Sequence, residues 1–340
     1  MDVADFAYEL PEGSIAQTPI EPRDRARLLV DRGPGQAPEH RTVADLPAFI
    51  RAGDVVVVNR TRVLPARLRL HKPTGGAVEV LLLERLPGGE WEALVRPSRR
   101  VAPGTELAAA ADLGVRFGGP GPGEGTRLVE LRTGDAVDEL AALERHGVVP
   151  LPPYITNPLA DPGRYQTVFA DRPGSVAAPT AGLHLTPAVL DGCRAAGARI
   201  EMVDLVVGMG TFRPISAGKV EDHHMHAERY QVSARALEAC EAARAAGGRV
   251  VAVGTTTVRA LESAALSGQL EGRTELFIHR PWRWRVVDVL LTNFHLPRSS
   301  LLVLVDAFVG PRWRDLYADA LAAGYRFLSF GDAMLLDRSL

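Results

Sequence analysis

Cysteine is nearly absent from this chain of 340 residues: there are two, Cys193 and Cys240, each in an alanine-rich, helix-like setting. That excludes a disulfide framework and makes a reducing compartment the simplest context. Long apolar runs are missing too. The longest, near Val55–Val58 and Leu301–Val305, fall well short of the roughly 20 residues a membrane-spanning helix needs. The first ten residues carry acids and no basic segment ahead of an apolar core, so no secretory signal is read there, and the expected compartment is the cytoplasm. Nor is there an excess of one charge. The formal net charge is −2, so an RNA-binding surface would have to concentrate its positive charge locally. His223, His224 and His226 lie close to Glu228, but neither cysteine is near and the HExxH order is absent, so no metal is expected. Gly208-Met209-Gly210 lacks the third glycine of a dinucleotide fingerprint and opens no clear helix. No internal repeat is visible.

What remains is an ordinary globular composition, 46% hydrophobic and 24% charged, with room for about two domains. Residues 1–60 hold a turn-rich lead-in, a short helix over Asp45–Ile50 and a buried strand over Val55–Val58. Residues 61–149 change texture. Short runs at Leu64–Leu70, Val78–Glu84, Trp91–Val95, Val115–Phe117 and Leu128–Leu131 are separated by Gly/Pro turns, which predicts a small β-barrel with a mobile hairpin tip at Gly118–Gly123. Residues 150–340 alternate strands (Ile200–Val207, Val250–Val253, Thr274–Ile278, Val286–Leu291) with helices (Ala188–Ala196, Ala234–Ala246, Val258–Leu266, Ser299–Phe308, Trp313–Ala322). Alternation of this kind argues for an α/β domain with a mixed, mostly parallel sheet and flanking helices, made from both chain ends around the inserted barrel.

Positive charge gathers in three places: Arg60 to Lys72, the trio Arg96, Arg99 and Arg100, and Arg280, Arg283 and Arg285 interleaved with Trp282 and Trp284. Each is either an RNA footprint or a solvated basic face. The tryptophans suit stacking on bases or one face of a strand.

The stretch Gly174 to Pro187 is the densest in signals. It opens on small residues that let a backbone approach a ligand. It then sets Thr180 and His184 one helical turn apart. It ends on Thr186-Pro187, an N-cap followed by proline at the first helical position. The plain alternative is a tight connecting loop. Elsewhere Thr255-Thr256-Thr257 follow a strand and can cap a helix, and Asn59 and Asp54 flank the strand Val55–Val58.

Gly174 through His184 closely resembles the signature of the S-adenosylmethionine:tRNA ribosyltransferase-isomerases, the QueA family of queuosine biosynthesis. Further blocks recur in that family's order: Pro22-Arg23-Asp24, Thr61 through Leu68, Pro150 through Ile155, Tyr165 through Phe169, Gly210-Thr211-Phe212, Met225 through Glu228, Ala252 through Arg259, Leu291 through Pro297 and Tyr325 through Met334. The resemblance covers essentially the whole chain. It implies that the ribosyl part of S-adenosylmethionine is transferred to the aminomethyl group of 7-aminomethyl-7-deazaguanine in tRNA with a GUN-type anticodon. The product is epoxyqueuosine, and adenine and methionine leave. S-adenosylmethionine is consumed as donor, no metal takes part, and a monomer is expected.

That chemistry needs a base for the acidic carbon next to the sulfonium, a donor for departing adenine, and a partner for the methionine carboxylate. His184, Asp332 and His226 are the candidate catalytic residues, His184 foremost because histidine titrates near neutral pH. Candidate substrate contacts are Asn59, Arg62, Ser175, Pro179, Thr180, Gly210, Thr211, Glu228, Thr255, Thr256, Arg259, Asn293 and His295. Arg259 is read as a bidentate carboxylate ligand, or else as a salt bridge within the domain. Three departures stand out: Arg60 where the family reads an acid, Val206 where it reads histidine, and Arg280-Pro281-Trp282 where it reads Pro-Gly-Tyr. They raise two rivals, a divergent paralogue acting on a small-molecule amine or nucleobase, and an RNA-binding protein without activity.

Overall fold

A computed structural model describes residues 1–134, 137–208 and 214–339. They fall into two compact units: Met1–Thr61 with Pro153–Asp171 and Ala178–Leu340, and Arg62–Pro152 with Arg172–Ala177. The second part of the chain thus lends residues 172–177 to the inserted unit, a return the boundary at 150 did not anticipate.

The large unit is built on a nine-stranded sheet. Its strands are β1 (Arg27–Asp31), β2 (Glu39–Thr42), β3 (Val55–Asn59), β12 (Arg199–Leu205), β13 (Glu228–Val232), β14 (Val250–Val253), β15 (Glu271–Thr274), β16 (Val289–Asn293) and β17 (Ala333–Asp337). Their order is β15-β13-β12-β3-β14-β16-β17-β1-β2. The centre, β12-β3-β14-β16, is parallel, as is β17 with β1. The other pairs are antiparallel, so the sheet is mixed, and its middle and the β17-β1 pair answer to the parallel expectation.

Strands in that middle read as unbroken apolar runs because both faces are covered. Val56 and Val58 join Val251, Val253, Val289 and Leu291 in a core closed by α2 (Pro187–Ala195) and the 3-10 segment Val43–Phe49. Val55 and Val57, equally buried, turn to the opposite face. Helices α3 (Ala234–Ala245) and α4 (Thr255–Ser267) pack along β3, β12 and β14, while α5 (Ser300–Val309) and α6 (Trp313–Ala322) follow β16. Helix α2 starts as its sequence dictates: Thr186 caps Val189 N–H at 3.2 Å and Pro187 is the first helical residue. The expected strand Thr274–Ile278 ends instead at Thr274, where the chain leaves the sheet and turns the Thr274 and Leu276 carbonyls onto Arg259.

The inserted unit carries a six-stranded antiparallel sheet of β5 (Arg67–His71), β6 (Ala77–Arg85), β7 (Trp91–Arg96), β8 (Glu106–Ala110), β9 (Leu113–Pro120) and β10 (Arg127–Thr133), in the order β5-β6-β7-β10-β9-β8. The edges β5 and β8 lie beside one another, which gives the sheet its barrel-like form. Also here are α1 (Glu139–His146), capped by Asp138, and the pair β4 (Thr61–Val63) with β11 (Arg172–Ser175). The glycine tip is shorter than expected. Strand β9 runs through Gly118 and Gly119 to Pro120, and a Cβ at Gly118 would stand 3.1 Å from the Leu128 carbonyl, so glycine there serves close strand packing.

Candidate functional site

The parallel strands β14 and β16 end side by side, and a ligand crevice in such sheets lies at those carboxyl ends. Asn293, the last residue of β16, is buried at the centre of the site. Its Oδ1 accepts from Thr180 Oγ1 at 2.9 Å, and its Nδ2 donates to the Leu328 carbonyl at 3.1 Å and to His184 Nε2 at 3.0 Å. A carbonyl only accepts, so Leu328 fixes which side of the amide carries the nitrogen. His184 Nε2 must then be an unprotonated acceptor, and the proton of the neutral ring sits on Nδ1. Leu328 holds a left-handed backbone, φ 69°, an uncommon conformation that turns its carbonyl to this task.

Burial pushes the His184 pKa down to about 3, helped by Arg326, Arg23 and Arg164. The ring is therefore neutral and committed to Asn293, not poised to titrate near pH 7. That corrects its reading as the general acid or base; its geometry is that of a donor through Nδ1. His295, held at Nε2 by Thr292 Oγ1 at 3.0 Å, is likewise pushed down to about 3 by burial. Its backbone is clamped by Tyr317, whose hydroxyl accepts from His295 N–H at 3.0 Å, and by Tyr8, whose hydroxyl donates to its carbonyl at 2.5 Å.

Two cavities share the wall Thr180, Asn293, His295 and Leu301. One reaches Pro179, Val207, Gly254, Thr255 and Thr256 at the start of α4. Gly254 precedes that helix with φ 90° and no side chain caps it, which leaves the first-turn N–H groups to whatever occupies the cavity. The threonines do not cap the helix as expected but form its first turn. Thr257 donates to the Val253 carbonyl at 2.7 Å, and the Thr256 hydroxyl is buried without a partner. The other cavity adds Tyr154, Phe294, Leu328 and Ser329. Among the described residues, neither has an Asp, Glu, Lys or Arg in its lining.

Other expected residues lie elsewhere. Arg259 is buried and ion-paired with Glu228, and its remaining nitrogens donate to the carbonyls of Leu276 at 3.0 Å and Thr274 at 3.3 Å. Both residues belong to a brace within the unit, so Arg259 is no carboxylate ligand. Asp332 accepts from the backbone N–H of Arg27 at 2.9 Å and of Arg326 at 2.7 Å, which spends both oxygens on the fold. Asn59 ties β3 to Leu205 and Thr61, and Asp54, at the far end of β3, pairs with Arg249 at 2.7 Å. His226 is exposed before β13 and makes none of the Asn293 contacts. Arg62, paired with Glu144 at 2.9 Å, and Ser175, whose hydroxyl donates to the Ala177 carbonyl at 2.6 Å, belong to the inserted unit. Gly210 and Thr211 lie outside the described residues.

The departures resolve into packing. Arg60 pairs with Asp204 at 3.0 Å, Arg280 with buried Asp306 at 2.5 Å, and Trp282 donates to Glu262 at 3.3 Å. The indole of Trp284 packs edge-on against Phe308 with ring centroids 4.8 Å apart, so these tryptophans do not form an open stacking platform. None of the four residues, Val206 included, lines either cavity. Sequence reasoning missed Tyr154, Ser329, Leu328, Arg23 and Arg164. Each falls within or beside a block that carried the family resemblance, which was the available signal.

Comparison with known proteins agrees with this architecture. A family model described as queuosine biosynthesis protein matches residues 3–336. The S-adenosylmethionine:tRNA ribosyltransferase-isomerase of Moorella thermoacetica is 51% identical over 343 residues, covering 99% of this chain and 100% of that one. The enzyme of the same name from Thermus thermophilus is 50% identical over 348 residues, covering 97% and 98%. A crystal structure of S-adenosylmethionine tRNA ribosyltransferase from Thermotoga maritima is similar at 37% identity and a TM-score of 0.56, covering 97% and 99%. With a family match over nearly its full length and relatives alike from end to end, the chain belongs to the queuosine biosynthesis protein family.

Proposed function

We propose that this protein is a cytoplasmic S-adenosylmethionine:tRNA ribosyltransferase-isomerase. It moves the ribosyl group of S-adenosylmethionine onto the aminomethyl group of 7-aminomethyl-7-deazaguanine in GUN-anticodon tRNA, forms epoxyqueuosine, and releases adenine and methionine. The observation that carries this reading is the pair Thr180 and Asn293, the latter bonded to His184 behind it, facing two adjoining cavities that have no charged residue among their described lining residues. S-adenosylmethionine has a net positive charge, from its sulfonium and ammonium against one carboxylate. A cavity with no lysine or arginine among its described lining residues admits it, and Tyr154 and Phe294 offer aromatic faces to the sulfonium. The methionine carboxylate fits the open first turn of α4 with the Thr256 hydroxyl. Asn293, its orientation fixed from three sides, is preorganised to meet the sugar or base.

The three departures give no support to a changed acceptor, since Arg60, Arg280 and Trp282 are engaged within the unit. The deciding experiment incubates the protein with S-adenosylmethionine labelled in its ribose, with tRNA bearing 7-aminomethyl-7-deazaguanine in one arm and a small-molecule extract in the other. Label entering tRNA with release of adenine is expected. Label only in a small product would replace the acceptor, and no adenine release in either arm would remove the activity.

A further inference from the structure

Beside His184, and sharing Ser329 with the second of the two neutral cavities, lies a third, open pocket with a different character. Arg23, Arg164, His184 and Ser329 line it between the apolar walls of Ile20 and Phe330, and among the described residues no carboxylate does. Arg23 donates through one nitrogen to the Gln166 carbonyl at 3.0 Å; its other two donor nitrogens have no hydrogen bond among the described residues. Arg164 is paired with Glu21 and donates to the Ile20 carbonyl at 2.7 Å. Arg326 stands near enough to act on His184, and its Nη2 is buried without a hydrogen-bond partner, 3.7 Å from Asp332. Glu21 and Asp161 offset part of this charge on Arg23, while Asp24 accepts from Thr186.

Arg23 is partly buried with Arg164 close by, and both burial and that neighbour disfavour its charge. Two guanidinium groups held together in this way repel one another, and the bonds the fold gives them leave two donor nitrogens of Arg23 unused among the described residues. The neutral tautomer of His184 that Asn293 enforces leaves Nδ1–H as a further donor on the ring lining the same cavity. The guanidinium groups and the imidazole N–H can only donate, and a ligand that accepts from all of them is an oxyanion. S-adenosylmethionine fits poorly, because its ammonium and sulfonium would be repelled by the Arg23 and Arg164 guanidinium groups.

We propose that the cavity holds a phosphodiester group of the RNA substrate, with Arg23 as its principal ligand, and so seats the strand next to the cavities that take the ribosyl donor. The proposal rests on the RNA-acceptor reading above. Phosphate contacts of this kind set register and carry no sequence information.

Wild type, Arg23→Gln and Arg23→Lys are compared by fluorescence anisotropy with a labelled tRNA transcript between 50 and 200 mM salt, with S-adenosylmethionine affinity measured in parallel by calorimetry. Arg23→Gln is expected to lose roughly 3- to 10-fold in RNA affinity at the lowest salt. Its plot of log affinity against log salt should flatten by about 0.7–0.9, the loss of one phosphate contact. Arg23→Lys should recover part of both, and S-adenosylmethionine affinity should be unchanged. An unchanged salt slope with weakened S-adenosylmethionine binding would assign the cavity to the methionine carboxylate and overturn the proposal. Folded variants unaltered in both would make the arginines structural and overturn it as well. Failure of the wild type to bind tRNA at all would instead remove the RNA-acceptor reading.

Discussion

Two arginines of the large unit make the instructive comparison. Arg259 and Arg23 both sit in family-like blocks, Arg259 buried and Arg23 half-buried. Arg259 has a carboxylate and two carbonyls around it, and burial lowers its pKa only to about 10, so it stays charged near neutrality. Arg23 has one carbonyl bonded to it and another arginine beside it, with Glu21 and Asp161 offsetting only part of its charge and making no hydrogen bond to it among the described residues. Partners already supplied by the fold mark the first as a brace. Partners withheld mark the second as a ligand-binding group. The cavities repeat the contrast, since the neutral pair suits a cationic donor and the cationic one suits an anion.

The largest effect expected from breaking this scheme is at Asn293. Asn293→Asp puts carboxylate oxygens against the Leu328 carbonyl and removes the donor to His184. A loss of about 2–4 kcal/mol in transition-state stabilisation, roughly 30- to 1000-fold in kcat/KM, is expected for adenine release; full turnover would remove the cluster from the reaction. Next comes Arg259→Met, which strands Glu228 as a buried charge and should lower stability by about 3–5 kcal/mol in denaturant unfolding. The double variant Arg259→Met with Glu228→Gln should recover much of that. Arg23→Gln should barely move the same midpoint.

Acid provides the third test. His184 and His295 have folded pKa values of about 3, below the unfolded value near 6.5. Between those limits the unfolded chain binds more protons, so the stabilisation present above about pH 6.5 is lost as pH falls. Each histidine contributes a slope of up to ~1.4 kcal/mol per pH unit. His184→Gln should flatten the dependence of the unfolding midpoint on pH over that window by about half; an unaltered slope would mean the ring is not neutral in the fold. Smallest of all is Arg60→Ala. It loses a partly exposed pair with Asp204, a change of about 1 kcal/mol or less in stability and none in adenine release.

Legibility in the sequence followed the range of the interactions. Thr186-Pro187 and Val250–Val253 could be read directly, because caps and buried strands are local patterns. Strand β8, Glu-Leu-Ala-Ala-Ala, and strand β17 were missed, since alanine is a poor strand signal and Ala333–Asp337 pairs on both sides with strands far away in the chain. The chemistry-bearing cluster was half legible. Thr180, His184, Asn293 and His295 were singled out, but nothing local shows that Asn293 takes the His184 lone pair across 109 positions. The same limit misassigned Arg259 and Asp332, whose partners are set by tertiary contact alone. Arg23 and Arg164 stood in plain view within or beside family-like blocks, without a role, because their meaning comes from the cavity they share.

The most direct test of the division between neutral and cationic cavities is the affinity of the RNA-free protein for S-adenosylmethionine, measured by calorimetry in wild type, Thr256→Val and Arg23→Gln. Thr256→Val removes the unpartnered hydroxyl at the start of α4 with little change in shape. A rise in Kd of about 5- to 10-fold for Thr256→Val, with Arg23→Gln at the wild-type value, is the expected result. The reverse pattern, Arg23→Gln weakened and Thr256→Val unchanged, would place the donor in the cationic cavity and contradict the account.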